Sequence, residues 1–165
     1  MKVLPDKYQG KSMPPNFYAE LAKTSDSINI LGSSGQIEEY KEELTSDDTP
    51  IMTKKSLLWM FGLIGSTSYG IEFLEEHNIV EEIVQIAENS EILSVRGTSL
   101  FALSLICRSE RGKEILKNYR WYRADLQGIT CIPSEHIKIF AKIGENDSVP
   151  GVTGIEAYSN FEGSI

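Results

Sequence analysis

The chain repeats itself, and no other feature restricts its folding as much. Leu21, Leu63 and Leu105 recur about every 42 residues, and so do their neighbours Ala22, Ile64 and Ile106. With a one-residue slip in the first copy, Ser27, Gly70 and Gly112 align, as do Leu31, Leu74 and Leu116. The last two copies match without a gap, Leu63-Ile64-Gly65-Ser66-Thr67-Ser68-Tyr69-Gly70 lying over Leu105-Ile106-Cys107-Arg108-Ser109-Glu110-Arg111-Gly112. Each copy must take one structure and bury its apolar face against its neighbours, because a single copy is too small to do so alone.

Within each copy the apolar residues are spaced for helices. A pattern starts at Pro14 and Pro15, carries Phe17, Tyr18, Leu21 and Ala22, and breaks over 24–26. A short helix over 28–31, a turn over 32–35 and an acidic helix over 36–44 follow, closed ahead of Pro50. The second copy holds a strongly apolar helix over 54–65, a shorter one over 68–77 and a third over 79–88. The third repeats the plan over 94–107 and 110–117, then runs through 121–126. A period of about 40–47 with two or three helices per unit predicts an all-α, armadillo/HEAT-like helical solenoid of about three repeats with negligible sheet. Residues 1–13 read as a flexible lead-in, 14–126 as the repeats, 127–143 as an appended segment and 144–165 as a disordered tail dispensable for folding. Neither end shows a polar cap, so the ends are expected to self-associate or to meet a partner.

The formal net charge of -8 opposes phosphate backbones, so nucleic acid is not an expected partner. The longest nearly unbroken apolar stretch, 57–64, falls far short of the ~20 residues of a membrane-spanning helix. The first residues hold no apolar signal core. A cytoplasmic protein, or one peripheral at membranes, is the expectation. Cys107 sits in an apolar run where a thiol serves as a small hydrophobe, and two cysteines make no disulfide framework, so a reducing compartment fits.

Candidate chemistry resolves into packing. Gly62, Gly65 and Gly70 do not follow a strand and precede no Lys-Ser/Thr pair, so they read as a close helix approach, a helix end and an early helical position. Cys131 and His136 leave a structural zinc short of ligands, and neither cysteine carries a nucleophile's signature. No Gly-x-Ser-x-Gly elbow exists. The chain is therefore expected to be no enzyme and to bind no metal or cofactor. Glu38, Glu39, Glu42, Glu43, Asp47 and Asp48 read as a solvated face, with docking of a basic partner as the alternative. Trp59 and Trp121 are placed for core and inter-unit packing. Arg96, near a helix start where the dipole disfavours a cation, calls for a carboxylate or carbonyl partner. Gly62 and Gly97 are expected at tight helix contacts.

The stretch Lys54-Lys55-Ser56-Leu57-Leu58-Trp59-Met60-Phe61-Gly62-Leu63-Ile64-Gly65-Ser66, then Tyr69-Gly70 and Leu74, carries a more specific pattern. It continues in Ile92-Leu93-Ser94-Val95-Arg96-Gly97-Thr98, Leu105-Ile106, Gly112 and Trp121. This resembles the late armadillo-like region of the Rictor/pianissimo family, the scaffold subunit of the second TOR kinase complex, and Pro14-Pro15-Asn16-Phe17-Tyr18-Ala19-Glu20-Leu21 is similar to that family's lead-in. The likeness covers roughly 13–126, with a weaker continuation at Gly128-Ile129-Thr130-Cys131-Ile132-Pro133. Phe61 and Ser104 stand where the pattern has small and glycine residues, which implies altered close packing. The resemblance implies a non-catalytic role in TOR signalling, with TOR kinase complex subunits as protein partners and presentation of AGC-kinase substrates. It marks Trp59, Gly62, Gly65, Gly70, Arg96, Gly97, Thr98, Gly112 and Trp121 as signature and possible interaction residues. Family members are far longer than this chain. A stand-alone armadillo-type adaptor for peptides or proteins unrelated to TOR is the alternative.

Overall fold

The computed structural model describes residues 15–124 and 130–133. The expected lead-in, the tail and most of the appended segment, His136 included, lie outside the described residues. Helices α1 (Pro15–Leu21), α2 (Ser25–Ser33) and α3 (Gln36–Thr45) form the first unit. Helices α4 (Ile51–Gly65), α5 (Ser68–Glu76) and α6 (Ile79–Asn89) form the second. Helices α7 (Leu93–Ile106) and α8 (Glu110–Asn118) open the third, which ends in an antiparallel hairpin of β1 (Trp121–Ala124) and β2 (Thr130–Pro133).

The repeat has a structural meaning at each aligned position. Thr24, Thr67 and Ser109 cap the second helix of their units, their hydroxyl oxygens accepting from the N–H of Ser27, Gly70 and Gly112 at 3.3, 3.0 and 2.9 Å. Such caps satisfy a helix-end N–H that has no partner within the helix. A side chain at Gly70 or Gly112 would run into the carbonyl of Ile64 or Ile106, which explains why the later copies hold glycine there. Ala22, Ile64 and Ile106 are fully buried, and Leu31, Leu74 and Leu116 are buried with them. The first helices α1, α4 and α7 pack side by side, and the second helices α2, α5 and α8 form a parallel row. One apolar core runs through all three units.

Unit boundaries follow local chemistry. Gly35, with φ 72°, takes the left-handed conformation that turns the chain into α3. Pro50 precedes α4, where it sacrifices no helical hydrogen bond. The tie between α3 and α5 is polar. Lys41 Nζ donates to the His77 carbonyl at 2.9 Å, and Glu38 lies 3.2 Å from His77 Nε2. The acidic run on α3 and beyond is otherwise exposed, as a solvated face should be.

The hairpin departs from the expectation of negligible sheet and of an open end to the last unit. Trp121 is 1% exposed and its indole N–H donates to Glu88 Oε1 at 3.0 Å, which anchors β1 to the end of α6. Strand β2 lies on α7, where the Cys131 N–H donates to Ser104 Oγ at 3.2 Å. Ser104 stands one repeat period after Gly62, the residue through which α4 receives α7. At the third unit, β2 thus takes the place that a further helix would occupy.

Candidate functional site: an apolar groove between α4 and α7

Helices α4 and α7 come close together at Gly62. A Cβ built on Gly62 would stand 2.8 Å from the Ala102 Cα and 3.0 Å from its Cβ, so only glycine permits this spacing. Gly65 is comparably crowded, its Cβ position lying 2.6 Å from Ile106 Cγ1. The close contact at the carboxyl-terminal half of α4 leaves a groove toward the amino-terminal halves of the two helices. Met52, Lys55, Ser56 and Trp59 of α4 line one wall, and Ser94, Gly97, Thr98 and Phe101 of α7 line the other. The groove encloses about 570 Å³.

Its surface is apolar and aromatic. Trp59 is 46% exposed, and its ring meets that of Phe101 at 5.1 Å between centroids, tilted by 44°. Trp59 therefore spans two units, as expected of inter-unit packing, but it is no core residue. Burying such a ring against a partner removes a large apolar area from water. Met52 is 69% exposed and adds a flexible apolar side chain at the mouth. Ser56 and Thr98 donate their hydroxyl protons to the Met52 and Ser94 carbonyls, each at 2.9 Å, and keep oxygen lone pairs for an incoming N–H. Among the described residues that line the groove none is a carboxylate, and Lys55 alone is charged.

Gly97 differs from the expectation of a tight helix contact. Nothing stands within 4 Å of a Cβ placed there, because its open side faces the groove and not a neighbouring helix. Its glycine leaves room in the groove where any side chain would fill it. Gly97→Ala is expected to leave the denaturation midpoint unchanged or raise stability by up to ~1 kcal/mol, since alanine is the better helix former. A clear fall in the urea midpoint would show that the backbone needs glycine.

The remaining signature residues divide between packing and caps. Arg96 finds a carbonyl partner, its Nε–H donating to Ala87 O at 3.4 Å, which links α7 back to α6. Gly70 and Gly112 accompany caps, and Trp121 anchors the hairpin. Trp59, Gly97 and Thr98 alone of the set come together in the groove. Sequence reasoning missed Met52 and Phe101, although the exposed apolar residues Ile51 and Met52 ahead of the buried Leu57 and Leu58 carried a signal.

Displaced titrations lie elsewhere. Burial and the Tyr40 hydroxyl hold Tyr18 well above the usual tyrosine range. Burial and the Glu75 carboxylate, 3.2 Å from its hydroxyl, push Tyr119 up to about 12. Among the described residues no three His, Cys, Asp or Glu side chains gather as a metal site, and no helix is long and apolar enough to cross a membrane.

Fold and groove together define a helical-repeat protein with an aromatic groove along its first-helix row. Residues 52–122, which contain every groove residue, match the domain described as rapamycin-insensitive companion of mTOR, domain 5. The chain is 42% identical over 132 residues to the target of rapamycin complex 2 subunit ste20 of Schizosaccharomyces pombe, covering 73% of this chain and 10% of that protein. It is 31% identical over 113 residues to human rapamycin-insensitive companion of mTOR, covering 66% and 7%. Against protein pianissimo A of Dictyostelium discoideum it is 28% identical over 127 residues, covering 76% and 11%. The chain belongs to the Rictor family, and it spans about a tenth of the length of these relatives.

Proposed function

We propose that the chain is a non-catalytic scaffold element of a TOR complex 2 kinase assembly, holding a protein segment in the groove between α4 and α7. The observation that carries this reading is the coincidence of the open aromatic groove with the region shared with Rictor domain 5. The occupant is a segment of another subunit with aromatic or branched apolar anchors and a carboxylate placed to meet Lys55, since the groove is apolar and the one charge among its described lining residues is positive. Its hydroxyls, on Ser56 and Thr98, donate to backbone carbonyls, and no carboxylate or imidazole among the described lining residues stands beside them to activate them. The cytoplasm, where such a kinase assembly would act, is the corresponding location.

Co-purification tests the reading. The tagged chain, expressed in a cell with an intact TOR complex 2, is expected to recover the TOR kinase subunit. A free-standing adaptor for unrelated peptides would recover other proteins and leave the kinase behind, and that result would overturn the proposal.

A further inference from the structure

Strand β2 brings two thiols together at the end of the stack. Cys107, the residue that follows α7, and Cys131 on β2 are each 2% exposed, and their sulfurs lie 3.0 Å apart. Neither is in a disulfide. The strand is held in place beside the helix by the Cys131 N–H donating to Ser104 Oγ at 3.2 Å. A disulfide bond is ~2.05 Å long, so the two sulfurs need approach by only about 1 Å to be joined.

The structure assigns Cys107 and Cys131 as a redox-closable pair, which a low-molecular-weight disulfide such as oxidised glutathione converts to an intrachain bond that fastens the terminal hairpin to α7. The chemistry balances as thiol–disulfide exchange. One cysteine loses its proton to solvent and attacks oxidised glutathione, whose S–S bond breaks and releases one glutathione thiolate, which takes up a proton. The second cysteine, deprotonated in turn, attacks the protein-side sulfur of the mixed disulfide and expels the second glutathione. Two protein thiols are oxidised and one glutathione disulfide is reduced to two thiols.

Burial makes this a gated reaction. The hydrogen bond with Cys107 and desolvation hold the Cys131 thiol far above its ordinary range, so in the closed hairpin this buried thiol stays protonated and inert. Glutathione reaches the thiols only when β2 lifts from α7. The rate of oxidation therefore follows hairpin opening, and the bond once formed suppresses that opening. The closed loop would span the 24 positions from α7 to β2, a length at which a crosslink restricts the unfolded chain appreciably.

The test uses the full chain incubated with oxidised glutathione at neutral pH, in buffer and in urea below the unfolding transition. Free thiols are then blocked with an alkylating reagent and the protein is read by intact mass and non-reducing peptide mapping. The expected product is lighter by two hydrogens, joins the Cys107 and Cys131 peptides, and melts at least ~5 °C higher, a gain that reductant reverses. Its rate of formation rises several-fold with urea. Cys131→Ala, which replaces a buried thiol by a small apolar group, should show neither the crosslink nor the gain in melting temperature. Thiols that stay alkylatable at every urea concentration, glutathione adducts that accumulate without closing, or a crosslink that lowers the melting temperature would each overturn the assignment.

Discussion

Trp121→Ala is expected to destabilise the protein by about 3–5 kcal/mol, the range for removing a fully buried aromatic side chain. The ring is 1% exposed and is the largest fully buried side chain among the described residues. Its loss opens a cavity where β1 meets α6 and removes the hydrogen bond to Glu88. The hairpin then keeps β1 against α8 and β2 on α7 but loses its tie to α6, so the change should also raise the reactivity of Cys131 toward alkylation. Trp121→Phe keeps most of the apolar area and should cost less. Urea denaturation followed by circular dichroism measures both. A loss below ~1 kcal/mol for the alanine variant would mean that the hairpin is not packed as described.

Gly62→Leu should be about as damaging, at ~3 kcal/mol or more, for the opposite reason. Here the atoms in the way are the backbone and Cβ of Ala102, and backbone cannot rotate aside. To admit a side chain, α4 and α7 must separate along the contact that joins the second and third units. Even Gly62→Ala should destabilise, although alanine favours a helix by about 1 kcal/mol over glycine, because the crowding exceeds that gain. Calorimetric melting of the two variants beside Gly97→Ala separates crowding from propensity. Gly62→Ala should lower the melting temperature while Gly97→Ala leaves it unchanged or raises it, and a fall in both would contradict the geometry at one of them.

Much of this architecture was legible in the sequence because a repeat converts one local pattern into a constraint on the whole. The alignment of Ser27, Gly70 and Gly112 marks the third position of the second helix, and that of Ala22, Ile64 and Ile106 marks the buried face of the first. Helix boundaries follow from Pro50 and the hydroxyl caps. The hairpin was not legible, because β1 and β2 are four residues each and too short to show an alternating pattern. Its pairing is also a contact between distant positions that no period announces. The groove was half legible. The sequence predicts a close contact at Gly97 as at Gly62, but a glycine on a helix marks missing volume without saying whether a neighbour or solvent fills it. Trp59 is ambiguous for a similar reason, since an indole on an apolar helix serves a core or a rim equally well.

The Trp59→Ala/Phe101→Ala double variant separates docking in the groove from folding. Both rings are more than a third exposed, so truncating them should leave the fold and its helical circular dichroism spectrum intact while removing the apolar surface of the groove. The variant is expected to melt within a few degrees of the parent chain and to recover at least ~10-fold less TOR kinase subunit in co-purification. A stably folded double variant that recovers the kinase as well as the parent does would contradict the groove as the docking surface.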